Sequence, residues 1–573
     1  MAGSGVRLVL STLLVALAAV LYASLDNSSP LTLIFSQTKP SNAGPYTPNN
    51  PSICPQLPAL RPKNHAIEQT ILEKTSNPTY KNSIIAKLTA LIQIPSESHD
   101  DLGAIGTDPR WTIFYDVESY LKKTYPAVFE TLTLDHVNTH GLVLTWEGSV
   151  PASQAKPLLM LAHQDVVPVL PETAAEWTHP PYGGYFDGER IWGRGATDDK
   201  GYMISVLESI DLLISSGFKP KRTVIVAFGC DEEISGENCG RPIADFLHAR
   251  YGDDGIYLIL DEGSVGIQRE FNRSFAMVSV AEKGYLDVRI DVSAAGGHAS
   301  NPPAHNAIGI LAEMVTAIED RPFEGRVTVA NPMFDFLSCA AVHVPESSFP
   351  SSLRAHLARI VKGDAEAERD LARALDELRY YFRTSQSVGK INGGLKINAI
   401  PELASAMVNL RLAVETSVSA VQAHYQSLIA PIARKHNMTL EGFNSSSSSD
   451  NNTSNLNPRK ITLSAIDALE PSPISPTTAE TEPFSILSGT IKRTLRPLSP
   501  HESELIVTPY LMPANTDTKF FWALSRNIYR FTPINLVENL NRAHTVDEFI
   551  RADELVREPV FFAGLVLGAD GVV

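Results

Sequence analysis

Several stretches of the chain put ionisable side chains at the ends of apolar runs. Leu158-Leu-Met-Leu-Ala-His163-Gln-Asp165 is an apolar run of strand length that ends in His-x-Asp. Trp192-Gly-Arg-Gly-Ala-Thr-Asp198-Asp-Lys-Gly201 is a glycine-punctuated loop that delivers an aspartate and then gives way to apolar residues at helical spacing. Thr223-Val-Ile-Val-Ala-Phe228 runs into Asp231-Glu232-Glu233, and Ile256-Tyr-Leu-Ile-Leu260 runs into Asp261-Glu262-Gly263. Buried strands that release ionisable residues at their carboxyl ends are how open α/β sheets present active sites. A histidine and this many carboxylates on one sheet edge would repel one another unless a cation balanced them. Imidazole and carboxylate suit Zn²⁺, and two such ions about 3.5–4 Å apart need a shared anionic ligand. Late in the chain, His544-Thr-Val-Asp-Glu548 brings a further imidazole, and Thr545-x-x-Glu548 has the form of a capping box, which predicts a helix just after His544.

Taken in order, His163-x-Asp165, Gly195-x-x-Asp198-x-Lys200-Gly201, Asp231-Glu232-Glu233 and Asp261-Glu-Gly263 resemble the motifs of the co-catalytic zinc peptidase family of aminoacylases, bacterial glutamate carboxypeptidase and carboxypeptidase S. The likeness runs from about Cys54 to the C-terminus, apart from one low-complexity insert. It is nearest to the carboxypeptidase S branch, through Ala162–Val169 and Leu260–Ser264. The resemblance implies an α/β catalytic domain on a mixed, mostly parallel sheet, two Zn²⁺ ions, and an inserted α+β lid of the kind that forms homodimers. It implies that His163 and Asp261 hold one ion, that Glu233 and His544 hold the other, and that Asp198 bridges them. Asp165 would orient the His163 imidazole through its second nitrogen. Glu232 would act as general base, moving a proton from the attacking water to the leaving nitrogen. Gly296-Gly-His298-Ala-Ser300 resembles the lid loop whose histidine stabilises the oxyanion, often across a dimer. Asn398-Ala-Ile-Pro401 and Arg411 match lid residues that hold a substrate carboxylate, which a guanidinium grips with two parallel hydrogen bonds. Asn409 stands where many relatives carry Asp, which leaves the support of Arg411 different here. The implied reaction is hydrolysis of the C-terminal peptide bond of short peptides. An N-acyl amino acid would be served by the same chemistry. A non-catalytic scaffold of this fold would have no need of the intact Glu232 and ligand set.

These residues have to be positioned by a chain with a definite layout. Arg7 precedes an apolar run from Leu8 to Leu25, roughly 27 Å long at about 1.5 Å per residue, and Asp26 follows. This predicts a membrane anchor over residues 1–25 with the N-terminus cytosolic and the catalytic part in a lumen, the vacuole by resemblance. The alternative is a cleaved signal and a secreted enzyme. Sequons at Asn27, Asn272, Asn437, Asn444, Asn451 and Asn452 agree with either route. Residues 26–62, rich in Ser, Pro and Asn, read as a stalk. Residues 63–283 form the first part of the catalytic domain, 284–443 the lid, 444–481 a low-complexity insert around Ser445–Ser449, and 482–573 the second catalytic part. A helix from Asn82, a strand at Gly141–Trp146 and a helix from Tyr202 to Ser216 closed by Gly217 belong to the first part. The strict alternation of Tyr285-Leu-Asp-Val-Arg-Ile-Asp-Val292 predicts a half-solvated strand, and a helix from Asn306 to Asp320 follows it. A chain of 573 residues exceeds one ordinary core. A net charge of −16 argues against nucleic acid as a partner. The four cysteines, Cys54, Cys230, Cys239 and Cys339, lack CxxC zinc spacing, and Cys230 could bridge Cys239 in an oxidising compartment.

Overall fold

The computed structural model describes residues 54–443, 459–478, 480–536 and 541–573. Its catalytic body is built on a nine-stranded mixed sheet. Across that sheet the strands run Thr133–Val137, Gly141–Trp146, Val224–Gly229, Leu158–His163, Leu258–Asp261, Ile528–Arg530, Arg273–Glu282 and Ile506–Met512, with Ile267–Glu270 on the side of Arg273–Glu282. Leu158–His163 lies parallel to both of its neighbours, so His163 emerges at the centre of the carboxyl edge. Every residue of that strand and of Val224–Gly229 is buried, as continuous apolar runs are when both sheet faces are covered. The two-residue pleat sorts their side chains. Leu158, Met160 and Val226 join a core under the helices Pro78–Ile92, Lys200–Ser215 and Ala552–Gly571, whereas Leu159, Leu161 and Ile225 pack beneath Gly240–Tyr251.

Lys200–Ser215 begins directly behind Asp198 and Asp199, is buried over almost its whole length, and ends before Gly217 at φ +77°. That left-handed conformation is one glycine adopts without strain. From Arg273–Glu282 the chain passes through the buried Lys283 straight into the lid strand Gly284–Ser293. The Lys283 ammonium donates to the carbonyls of Tyr380 and Arg383, 2.8 Å each. The lid sheet has five strands in the order Ser385–Gly393, Leu403–Leu412, Gly284–Ser293, Lys460–Leu469 and Thr439–Glu441. Its apolar face, with Leu286, Val288, Ile290 and Val292, packs under the helices Ala307–Glu319 and Val418–Lys435.

Several expectations about layout need correction. The segment 332–382, expected within the lid, turns back to the body. There Phe336 and Leu337 share a core with Phe275, Ile506 and Leu511 along the edge of the catalytic sheet. The expected insert 444–481 is structured in its second half. Lys460–Leu469 pairs with Gly284–Ser293, because Ile461 and Leu463 complete the lid core, and Ser472 and Ser475 bond to Glu282 and Val280 of the body. The stalk does not extend to residue 62. Cys54 is bridged to Cys339, Gln56 bonds Val507, and the Leu60 amide donates to Gly489. The Cys230–Cys239 bridge is present as well. No helix among the described residues is long and apolar enough to cross a membrane, and the run from Leu8 to Leu25 lies outside them.

Candidate active site

His163 is 1% exposed, and its imidazole is fixed from both sides. Nδ1 stands 3.2 Å from the Asp165 carboxylate and Nε2 stands 3.0 Å from Asp198 Oδ1. The other oxygen of Asp198 lies 2.9 Å from His544 Nε2, which is also 3.1 Å from Glu233 Oε1. Asp198 is therefore shared between two imidazoles, the disposition required of a bridging carboxylate. Ligand atoms of His163, Asp198 and Glu233 all come within 4.8 Å of one another. Burial by itself would raise the Asp198 carboxyl, but the two imidazoles outweigh it and hold the group well below the usual carboxylate range. The His544 imidazole is pushed up to about 11 by its contacts with Asp198 and Glu233. Burial and then the neighbouring Asp198 raise the Glu233 carboxyl to about 7. Burial, with Glu233, Glu262 and Asp517 nearby, takes Glu232 well above its ordinary value. So many desolvated acids around two imidazoles form a donor set that fits divalent metal.

Asp165 does more than orient His163. Its carboxylate accepts the backbone amides of Glu232, at 3.2 Å, and Glu233, at 3.1 Å, together with the Ser98 hydroxyl. One buried aspartate thus fixes the first imidazole and the segment carrying the expected base. Asp231 closes the same segment by accepting the Asn238 and Cys239 amides, next to the Cys230–Cys239 bridge.

The Asp198 loop is held by a residue read otherwise from the sequence. Glu548 is fully buried, ion-paired to Arg194 at 2.6 Å, and accepts the amides of Thr197 and Asp198. The expected helix cap after His544 is therefore incorrect. Phe549–Arg551 is a strand and the helix starts at Ala552, because the Glu548 carboxylate is engaged by the loop opposite.

The expected ligand Asp261 and its neighbour Glu262 line different cavities. Asp261 ends its strand with Thr516 as a side-chain hydrogen-bond partner and with His163 and Glu232 in the same small cavity lining, near the Arg530 guanidinium, which is 3.1 Å from Glu282. The next residue, Glu262, enters the cavity with Asp198, Glu232, Glu233 and His544. That cavity, about 420 Å³, also takes in Arg411 and Asn515, and Arg411 Nη1 donates to Asn515 Oδ1 at 3.3 Å. His298 and Asn398 are not among its lining residues. They lie together on an exposed ribbon of the lid, where Gly297–His298 pairs with Ala399–Ile400 and His298 bonds Ser300.

A strand-edge cluster of histidines and carboxylates on a mixed α/β sheet, with an arginine lowered over it from an inserted lid, defines a hydrolase of the metallopeptidase type. The chain belongs to the peptidase family M20/M25/M40, whose model matches residues 159–567. It is 36% identical over 518 residues to Carboxypeptidase S of Saccharomyces cerevisiae, covering 88% of this chain and 87% of that protein. It is 30% identical over 475 residues to the N-fatty-acyl-amino acid synthase/hydrolase PM20D1 of Bos taurus, covering 81% of this chain and 83% of that one. In fold it is similar to the M20 family metallo-carboxypeptidase Sso-CP2 of Sulfolobus solfataricus, with TM-score 0.55 at 16% identity over 86% of this chain and 99% of that one. The chain is thus a peptidase-family enzyme.

Proposed function

We propose that the protein is a two-zinc carboxypeptidase that removes the C-terminal residue of short peptides. The observation that carries this reading is the convergence of His163 and His544 on the two oxygens of Asp198, in one cavity with Arg411. His163 and Glu262 would hold one ion, Glu233 and His544 the other, and Asp198 both. Glu262 replaces the expected Asp261 because it is the acid that enters the cavity. Bound there, the metals would polarise the scissile carbonyl and make water a better nucleophile. The chain supplies the rest. Glu232 takes a proton from the attacking water onto its carboxylate and delivers it to the leaving nitrogen. Asp165 keeps Glu232 in reach by holding its backbone amide. Arg411, with Asn515 bonded to it, grips the free carboxylate.

The second reading is hydrolysis of N-acyl amino acids, supported by the similarity to the bovine N-fatty-acyl-amino acid synthase/hydrolase. A lumenal, vacuolar location is supported by the two disulfides, which persist in oxidising compartments, and by the exposed sequon residues Asn272 and Asn437. The test is hydrolysis of N-blocked dipeptides with a free or an amidated C-terminus, before and after chelation. Cleavage of only the free acids, lost with chelator and restored by zinc, is expected. Turnover confined to N-acyl amino acids would replace this reading with the second.

A further inference from the structure

The lid presents a charge pattern to the cavity that the hydrolytic chemistry does not use. Leu286 and Val288 are buried in the lid core, so the pleat turns Tyr285 and Asp287 to the opposite face, towards the cavity. The register of the three central lid strands then builds two rows. Arg411 lies opposite Tyr285, and Asn409, Asp287 and Asp467 lie side by side in the next row. Rows two residues apart are separated by about 7 Å. Asp287 accepts a 2.6 Å hydrogen bond from Asn409 Nδ2, and Asp467 accepts one of 2.9 Å from the Tyr285 hydroxyl. Both carboxylates are thus oriented by neutral groups. Arg411 is met by Asn515 and by the Tyr285 ring, 5.8 Å from its centre. Among the described residues, neither Asp287 nor Asp467 forms an ion pair with Arg411, or with Lys519 or His544 on the same wall. A cationic point and an acidic pair therefore stand one row apart in the same cavity, each without a counter-charge in contact.

We propose that Asp287 and Asp467 form a subsite for a basic side chain on the C-terminal residue of the substrate. This rests on the carboxypeptidase reading and deepens it. With the α-carboxylate on Arg411, the side chain of that residue runs along the lid towards the next row. A lysine ammonium lies about as far from its own carboxylate as the rows are from each other. Both anchors are on the lid, which places the acidic pair on the side of the leaving amino acid. An apolar side chain of the same length would leave both carboxylates unmatched, and an acidic one would be repelled.

The experiment compares N-blocked Gly-Lys, Gly-norleucine and Gly-Glu as substrates of the full-length protein at low salt. The expected kcat/KM for lysine exceeds that for norleucine by about fivefold or more, the scale of two partly exposed charge pairs, with glutamate poorest. In the Asp287→Asn/Asp467→Asn double variant the lysine-to-norleucine ratio should fall to about one. A wild-type ratio near one, or a double variant that loses both substrates in proportion, overturns the subsite. Failure to cleave any of the three counts against the carboxypeptidase reading instead. The subsite is then read from thermal protection of the zinc-loaded protein by free lysine against free norleucine, and equal protection overturns it.

Discussion

At the scale of single residues, the adjacent acids Asp261 and Glu262 show where local pattern stops deciding. The sequence marks a strand that ends in acid, but successive side chains on an extended segment face opposite ways. A one-residue uncertainty in the strand end therefore exchanges the two roles. The proposed reading takes Glu262, which lines the cavity with Asp198 and His544, whereas Asp261 has Thr516 as a side-chain hydrogen-bond partner and Arg530 nearby, both remote in sequence. The prediction is that Glu262→Gln lowers zinc affinity by more than about 100-fold and lowers bound metal, whereas Asp261→Asn keeps its metal. Metal analysis of the dialysed proteins decides, and the reverse pattern would restore Asp261 as the ligand. Glu232→Gln should keep both metals and lose on the order of 10²–10⁴ in kcat. By contrast, His163, Asp165, Asp198 and Glu233 were legible from sequence and lie together in the structure, because each belongs to a short segment whose strand or loop fixes it locally.

Among the elements, those with strong periodicity were read almost to the residue. Gly141–Trp146, Leu158–His163, Lys200–Ser215 and Ala307–Glu319 all carry their apolar spacing in the sequence. What was missed depends on distant partners, such as Glu548 drawn to Arg194 rather than to its own helix. Lys460–Leu469 was hidden by flanking Asn, Ser and Pro, although Ile461 and Leu463 alternate as a strand requires. The packing of Ala552–Gly571 on Lys200–Ser215 carries its own prediction. Glu558 lies buried in that seam with the Ser205 hydroxyl as donor, and burial, seconded by Glu554, pushes its carboxyl up to about 8. A folded-state value above the unfolded one means that the native protein takes up a proton. The contribution of this group to stability is full below about pH 4.5 and is lost as pH rises through about 8. Glu558→Gln should therefore raise Tm by about 2 °C or more at pH 8.5 and by much less at pH 5. Equal shifts at both pH values would remove Glu558 as the cause.

For the whole molecule, the lid divides the residues expected to bind substrate into two groups. Arg411 shares the cavity with Asp198, Glu233 and His544, whereas His298 and Asn398 sit on an exposed ribbon whose neighbours Leu395 and Ile397 are fully exposed. Side chains of that kind on a monomer's surface fit an interaction face. The half-solvated strand from Tyr285 was legible in the alternation, and its place in an inserted lid came from the family resemblance. The return of 332–382 to the body was not, because its helices carry an apolar face that either core would accept. If His298 acts on the oxyanion, it does so either by a large lid closure or by reaching the cavity of a second copy. A homodimer through the lid, which the family resemblance implies, would make these routes separable. His298→Ala should lower kcat with little change in KM, since an oxyanion donor acts chiefly in the transition state. Arg411→Ala should chiefly raise KM, because the carboxylate it holds is charged throughout. If His298 works across the interface, a heterodimer of His298→Ala with Glu232→Gln has one cavity with an intact base and an intact partner histidine. Co-expression of differently tagged subunits, followed by tandem purification, should then recover part of the wild-type rate. Heterodimers that form and stay inactive would confine His298 to its own subunit. A chain that remains monomeric by light scattering at assay concentration, yet is impaired by His298→Ala, would leave lid closure as the route.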